Sequence, residues 1–137
     1  MKFIQVLFVL IALFYAPFSV AEPTPDQCQN FVWDAVTTDT IGNDISADIT
    51  GYSIYFGTSP GVYGVPADVG NVLTVPIDTV LPAVDGMYYA TLTAKTATTE
   101  SAYANEIELA YASGAFRLGG VPVSPAPFRV QCSVVTP

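Results

Sequence analysis

The sequence predicts an all-β protein, an antiparallel β-sandwich of about seven short strands. Val, Thr, Tyr, Ile and Phe are abundant, and apolar residues alternate with polar ones instead of recurring at helical spacing. Gly, Pro, Asn and Asp interrupt the chain at short intervals, as they do at turns between strands. Strands this short bury their apolar faces by packing sheet against sheet.

The first 21 residues have the pattern of a secretory signal peptide. Lys2 precedes an apolar run at positions 6–16, and Ser19 and Ala21 place small residues at a cleavage site. The run is short for a membrane span, although a retained anchor is the alternative interpretation. We therefore expect a secreted or periplasmic/extracellular protein with no membrane span after cleavage.

Alternation of apolar and polar residues locates the strands that follow. The predicted strands cover 30–35, 51–57, 69–76, 87–95, 103–111 and 127–135. Between the first two strands lies a polar loop, and Pro60 and Gly61 suit the centre of a type II turn after the second. The residues predicted to form the core are Phe31, Trp33, Tyr52, Ile54, Tyr88 and Leu92.

A family resemblance lies in four of these segments, FVWDA at 31–35, ITGYSIYFGTSPGVY at 49–63, MYYATLTA at 87–94 and ESAYANEI at 100–107. They resemble strands B, C and F, and the F–G loop with strand G, of bacterial fibronectin type III domains. The resemblance covers about residues 30–110. It implies an immunoglobulin-like sandwich with Trp33 between the sheets and with Tyr88 or Tyr89 hydrogen-bonded to backbone at a corner. Because this fold hosts many functions, the resemblance implies no particular activity.

The two ends of the chain depart from the family pattern. Few residues precede the first strand, whereas the proline-rich stretch at 121–130 resembles a strand A displaced to the end of the chain. We accordingly divide the chain into a sandwich at 22–110 and a Gly/Pro-rich connector with a last strand at 111–137. That strand could fold back onto its own domain, fill the edge of a neighbouring copy, or be an idle tail. Its candidate interaction residues are Phe128, Val130 and Val134.

The chain contains two cysteines, Cys28 and Cys132, and export permits a disulfide between them. Free or intermolecular thiols are the alternative. An intramolecular bridge would place the last strand beside the first and would stabilise the fold by about 4–5 kcal/mol. Since Cys28 has the opposite parity to Phe31 and Trp33, this pairing requires a bulge near Gln29.

The residue inventory argues against catalysis. The sequence lacks histidine, so neither a Ser–His nor a Cys–His nucleophile can form, and no acidic pair stands out as a hydrolase dyad. We expect no enzyme activity and no cofactor. Asp39, Asp44 and Asp48 are weak calcium candidates, but their spacing does not match a calcium loop and favours turn formation.

The composition disfavours some classes of binding partner but does not identify the partner. A formal net charge of −8 makes nucleic acid and anionic membrane surfaces unfavourable partners. We expect a non-catalytic exported interaction module that binds a protein or cell-surface partner through loops or a sheet edge. One alternative is a self-assembling extracellular subunit with a donated C-terminal strand. The other is a carbohydrate-binding module whose exposed aromatic strip comprises Tyr63, Tyr103, Tyr111 and Phe116.

Overall fold

Eight antiparallel strands and one short 3₁₀ helix make up the regular structure of residues 27–119 and 127–133, which the computed structural model describes. The strands are β1 (Gln27–Trp33), β2 (Gly51–Gly57), β3 (Ala67–Gly70), β4 (Thr74–Pro76), β5 (Gly86–Lys95), β6 (Ile107–Ala112), β7 (Ala115–Leu118) and β8 (Phe128–Ser133). The 3₁₀ helix covers Ile77–Thr79. The all-β prediction is confirmed, whereas the signal peptide and Val134 lie outside the described residues.

The strands form one curled sheet in the order β3-β2-β5-β6-β7-β1-β4, with β8 also paired to β1. The longest contact joins β2 to β5 without a register shift, from Gly51 opposite Lys95 to Gly57 opposite Tyr89. β7 and β1 meet at a single residue pair, Cys28 and Phe116. The sheet therefore turns sharply at this point, and β4, β1 and β8 close over the longer strands.

The core fills the space enclosed by this turn. Trp33 of β1 lies 5.5 Å from Tyr52 of β2, ring centre to ring centre, although the two strands are not neighbours in the sheet. The structure buries every residue of the predicted core set, Phe31, Trp33, Tyr52, Ile54, Tyr88 and Leu92. The Tyr88 hydroxyl donates a 2.7 Å hydrogen bond to the Val84 carbonyl, which has the geometry of a tyrosine corner.

Two strand predictions were wrong in detail. The stretch predicted as one strand at 69–76 overlaps the end of β3, which pairs with β2, and contains β4, which pairs with β1. Gly70 separates them because its positive φ of 76° ends the extended conformation of β3. The strand predicted at 103–111 begins only at Ile107, and the preceding residues follow the end of β5 as an irregular segment.

Strand β7 lies inside the stretch predicted to be a Gly/Pro-rich connector. Ser113 and Gly114 both have positive φ, 54° and 78°, at the centre of the turn that joins β6 to β7. Two successive positive φ values give the tight hairpin whose twist matches the flanking strands. Composition indicated a loop here because the short strand after the turn is surrounded by glycine and proline.

Within the described residues there is no helix with the length and apolarity needed to span a membrane.

Candidate functional site

Strand β8 occupies the edge beside β1 within the same chain. It pairs antiparallel along β1, with Val130 opposite Phe31 and Phe128 opposite Trp33. The register shifts between Cys28 and Asn30, so that Gln29 is the extra residue of a bulge. The bulge brings Cys28 opposite Cys132, and the two form a disulfide with an S–S distance of 2.04 Å. The predicted intramolecular disulfide is confirmed.

Phe128 anchors β8 in the core. Only 1% of its surface is exposed, and its ring stacks on Phe31 at a centroid distance of 5.2 Å. The Asn105 side chain also holds the backbone of Phe128. Its Nδ2 atom donates to the Phe128 carbonyl at 2.9 Å, and its Oδ1 atom accepts from the Phe128 N–H at 3.1 Å. This amide supplies both hydrogen bonds that a neighbouring strand would supply. No local pattern in the sequence indicates the contact, because the two residues are 23 positions apart.

Two of the three candidate calcium residues, Asp39 and Asp44, accept hydrogen bonds within the loop that joins β1 to β2. The Asp39 carboxylate accepts from the Asn43 side chain and backbone, and these hydrogen bonds hold its pKa below the usual range. Ser46 donates to Asp44 through its hydroxyl and its backbone, and lowers the pKa of that carboxyl in the same way. Among the described residues, Asp48 included, no three acidic or cysteine side chains converge as a metal site.

The four aromatic residues proposed as one exposed strip lie in two separate places. Tyr111 and Phe116 pack against each other at 4.7 Å, and Phe116 is buried beside Tyr88. Tyr63 and Tyr103 instead contact each other in a different cluster. The strip as predicted is therefore wrong, because the β6–β7 hairpin turns Phe116 into the core.

Tyr63 and Tyr103 belong to a surface that also contains Tyr55, Glu100 and Glu106, which we call the tyrosine face. Tyr103 is its centre: its ring lies 5.1 Å from that of Tyr55 and 5.2 Å from that of Tyr63. The interplanar angles are 71° and 75°, the edge-to-face arrangement that aromatic rings prefer. Tyr103 is 55% exposed, so the middle ring is both fixed in place and open to solvent.

A tight turn after β2 positions Tyr63. Pro60 and Gly61 lie at its centre, Gly61 has a φ of +70°, and the Val62 N–H donates to the Ser59 carbonyl at 3.2 Å. The turn folds back so closely that a Cβ at Gly57 would lie 1.9 Å from the Val62 carbonyl oxygen. Glycine at this position is therefore required for the turn and for the placement of Tyr63.

The segment at 100–106 brings Tyr103 to the same surface. It runs beside the end of β5, where the Ser101 N–H donates to the Ala94 carbonyl at 2.9 Å. Further along, the Ala104 N–H donates to the Leu92 carbonyl at 2.9 Å. Because both ends of the segment are attached to β5, Tyr103 is held between them.

Glu106 fastens the turn to this segment. Its Oε2 atom accepts hydrogen bonds from the Gly61 N–H, at 2.8 Å, and from the Tyr63 hydroxyl. Burial raises the pKa of Tyr63, and the hydrogen bond to the negatively charged Glu106 raises it further. Tyr63 therefore stays protonated as a donor at neutral pH.

Glu100 makes the equivalent contact on the other side of Tyr103. Its Oε1 atom accepts from the Tyr55 hydroxyl at 2.7 Å and from the Thr93 hydroxyl at 2.5 Å. These two donors hold the pKa of Glu100 below its usual value, and the carboxylate raises the pKa of Tyr55 in return. The face is thus a hydrogen-bonded unit with a carboxyl group at each end.

Sequence reasoning found part of this surface. Strand alternation places Tyr55 on the face opposite Ile54, so its outward direction could be read from the sequence. The contacts of Glu100 with Tyr55 and of Glu106 with Gly61 could not, because each joins residues 45 positions apart in the sequence. Comparison with known proteins finds no matching family model, no matching curated protein and no matching solved structure. The resemblance to fibronectin type III domains therefore has no support from these comparisons.

Proposed function

We propose that this chain is an exported, non-catalytic interaction module with an immunoglobulin-like, fibronectin type III sandwich, and that it binds its partner through the tyrosine face. Strand order supports the fold: β8-β1-β4 corresponds to strands A, B and E, and β3-β2-β5-β6 to strands C′, C, F and G. In this proposal the C-terminal segment supplies strand A, and β7 is an addition after strand G. The Cys28–Cys132 disulfide supports export to an oxidising compartment.

One observation carries the functional proposal, the exposure of a tyrosine that its neighbours hold in a fixed orientation. Tyr103 is 55% exposed, and on the loop that carries Tyr63 the side chains of Val62 and Val65 are 66% and 86% exposed. Tyrosine is enriched at the energetic centres of protein interfaces. A ring already ordered by packing loses little conformational entropy on binding, which favours its use as a contact residue.

The non-catalytic role is proposed on the residue inventory and on the contacts of the acidic side chains. The sequence has no histidine. The carboxylates of Glu100 and Glu106 accept hydrogen bonds from protein donors, and those of Asp39 and Asp44 do the same in the first loop. These contacts support a role for the four carboxylates in organising the surface, which suits a binding module.

The test is a selection for ligands of the tyrosine face. A displayed library of random peptides is selected on the oxidised wild-type protein, and the enriched clones are then measured on two variants. Tyr103→Ala removes the exposed ring, whereas Ile41→Ala removes an apolar side chain that is 81% exposed in the β1–β2 loop. We expect the clones to bind wild type and Ile41→Ala and to lose binding to Tyr103→Ala. Clones that bind all three proteins equally would refute this surface.

A second candidate function is self-assembly by strand donation. The observation that favours it is the insertion of Phe128, which β8 carries into the core beside Phe31 while pairing along β1. The same strand from a neighbouring copy would make the same contacts. The mass of the exported protein without reductant separates the two: a donated strand gives disulfide-linked ladders, and a folded-back strand gives an oxidised monomer.

The geometry of the tyrosine rings favours a protein partner over the carbohydrate-binding alternative. Sugar-binding surfaces use aromatic faces on which sugar rings can stack, whereas the rings of Tyr55, Tyr103 and Tyr63 meet edge to face. Binding of neutral oligosaccharides that is lost in Tyr103→Ala would favour it over a protein partner.

A further inference from the structure

The tyrosine face carries negative charge that no ion pair within the described part of the chain neutralises. Neither Glu100 nor Glu106 forms an ion pair with a described residue. The direct partners of the three basic side chains in the described ranges lie elsewhere: Lys95 pairs with Asp68, Arg129 pairs with Asp34, and Arg117 donates to the Ala112 carbonyl. The charge of Lys95 acts on Glu100 only as the smallest of the causes that lower its pKa. The two carboxylates are therefore available to a positive charge from outside.

Each carboxylate is also held so that one oxygen remains open. Glu100 uses Oε1 for Tyr55 and Thr93, and Glu106 uses Oε2 for Gly61 and Tyr63. The other oxygen of each group accepts no hydrogen bond from the described residues. Because the protein donors already orient the carboxylates, a ligand would not have to order them, and a charged donor would form a strong hydrogen bond.

An exposed tyrosine between two carboxylates suits a cationic side chain, that of Lys or Arg. The negative face of an aromatic ring attracts a cation, and the aliphatic stem of Lys or Arg packs on apolar surface while its charged head stays polar. Tyr103 offers the ring, and Val62 offers exposed apolar surface on the neighbouring turn. A neutral sugar could donate hydroxyl hydrogen bonds to the carboxylates but would lack the charge attraction that a cationic head gains.

Resting on the proposed function, we propose that the tyrosine face binds a Lys or Arg side chain from an extended segment of another protein, with the charged head at Glu100 or Glu106 and the stem along Tyr103. A second copy of this chain is a poor source, because the sequence has four Lys and Arg residues against twelve Asp and Glu. The acidic surface as a whole also attracts a basic partner and speeds its encounter.

The test uses three labelled twelve-residue peptides in which valine alternates with arginine, with glutamine or with glutamate. Their binding to the oxidised full chain is measured by fluorescence anisotropy. We expect the arginine peptide to bind wild type at least about tenfold more tightly than the glutamine peptide, and the glutamate peptide not to bind.

Two double variants separate the site from general charge attraction. Glu100→Gln/Glu106→Gln neutralises the face, and Asp78→Asn/Asp85→Asn makes the same change in net charge at exposed positions in the 3₁₀ helix and at the opposite end of β5. We expect the first to weaken arginine-peptide binding about tenfold or more and the second less than about twofold. Equal losses in the two variants would overturn the proposal.

A measurement on the wild-type protein tests the same contact without relying on the fold of the glutamine variant. The Gly61 amide donates to Glu106, so its NMR resonance should move when a guanidinium reaches that carboxylate. An unmoved Gly61 resonance at saturating arginine peptide would exclude Glu106 as the position of the charged head. Glu100→Gln alone should then remove the preference for the arginine peptide, and a preference that survives this change would overturn the proposal. If the glutamine peptide or a neutral oligosaccharide binds instead, and Tyr103→Ala abolishes that binding, the face is a binding site but its ligand is not cationic. If Tyr103→Ala changes the binding of no probe, both the ligand and the proposed surface are wrong.

Discussion

Phe128 carries the contact between the C-terminal strand and the core, and its truncation tests that strand most directly. The side chain is 1% exposed, stacks on Phe31 at 5.2 Å and lies 6.3 Å from Trp33. Replacing a buried phenylalanine with alanine removes its transfer free energy and leaves a cavity, which together cost about 3–5 kcal/mol. Since a domain of this size is stable by about 5–15 kcal/mol, Phe128→Ala should lose a large share of its stability.

Urea unfolding of the oxidised protein measures this loss. Trp33 is the only tryptophan and lies beside Phe128, so its fluorescence reports the packing of this region. Gln131→Ala is the control, because Gln131 is exposed on the same strand and makes one side-chain hydrogen bond, to Asn30 at 3.2 Å. We expect the control to remain within about 0.5 kcal/mol of wild type. A loss below about 1 kcal/mol in Phe128→Ala would mean that β8 does not complete the core, and the assignment of strand A would fail.

Three further predictions concern the contacts around β8 and the tyrosine face. Replacing Cys28 and Cys132 together with serine should lower the free energy of unfolding by about 4–5 kcal/mol, because the bridge closes a loop with a sequence separation of 104; an unchanged urea midpoint would contradict this. Asn105→Ala should cost about 1–3 kcal/mol in the same assay, since it removes two hydrogen bonds from the backbone of Phe128; a neutral effect would mean that water replaces them. Glu100→Gln should flatten the acid limb of the stability curve: the folded pKa of Glu100 lies below its unperturbed 4.5, so its stabilising effect is complete above pH 4.5 and is lost as the pH falls through the folded pKa. Parallel curves for wild type and Glu100→Gln below pH 4.5 would show that Thr93 and Tyr55 do not favour the ionised form.

Much of the fold could be predicted from the sequence because strand alternation and turn chemistry are local. The predicted strand at 51–57 agrees with β2, and the core residues on β1, β2 and β5 have the parity that buries them. The parity conflict at Cys28 was also visible in the sequence, and it required the bulge that the structure places at Gln29. Local signals were misleading for β7. The glycines and prolines around it predicted a connector, whereas Ser113 and Gly114 form a hairpin turn that leads into a strand.

The tertiary structure alone decided which polar and aromatic side chains meet. From the sequence, Tyr63, Tyr103, Tyr111 and Phe116 were equivalent aromatic residues, and Glu100 and Glu106 were two acids among twelve. The turn after β2 and the segment beside β5 bring Tyr63, Tyr103 and both glutamates to one surface, while the β6–β7 hairpin buries Phe116. The physical reason is range: alternation determines on which side of a strand a residue lies, whereas contacts between residues forty or more positions apart depend on how the sheet curls and where its connecting segments cross.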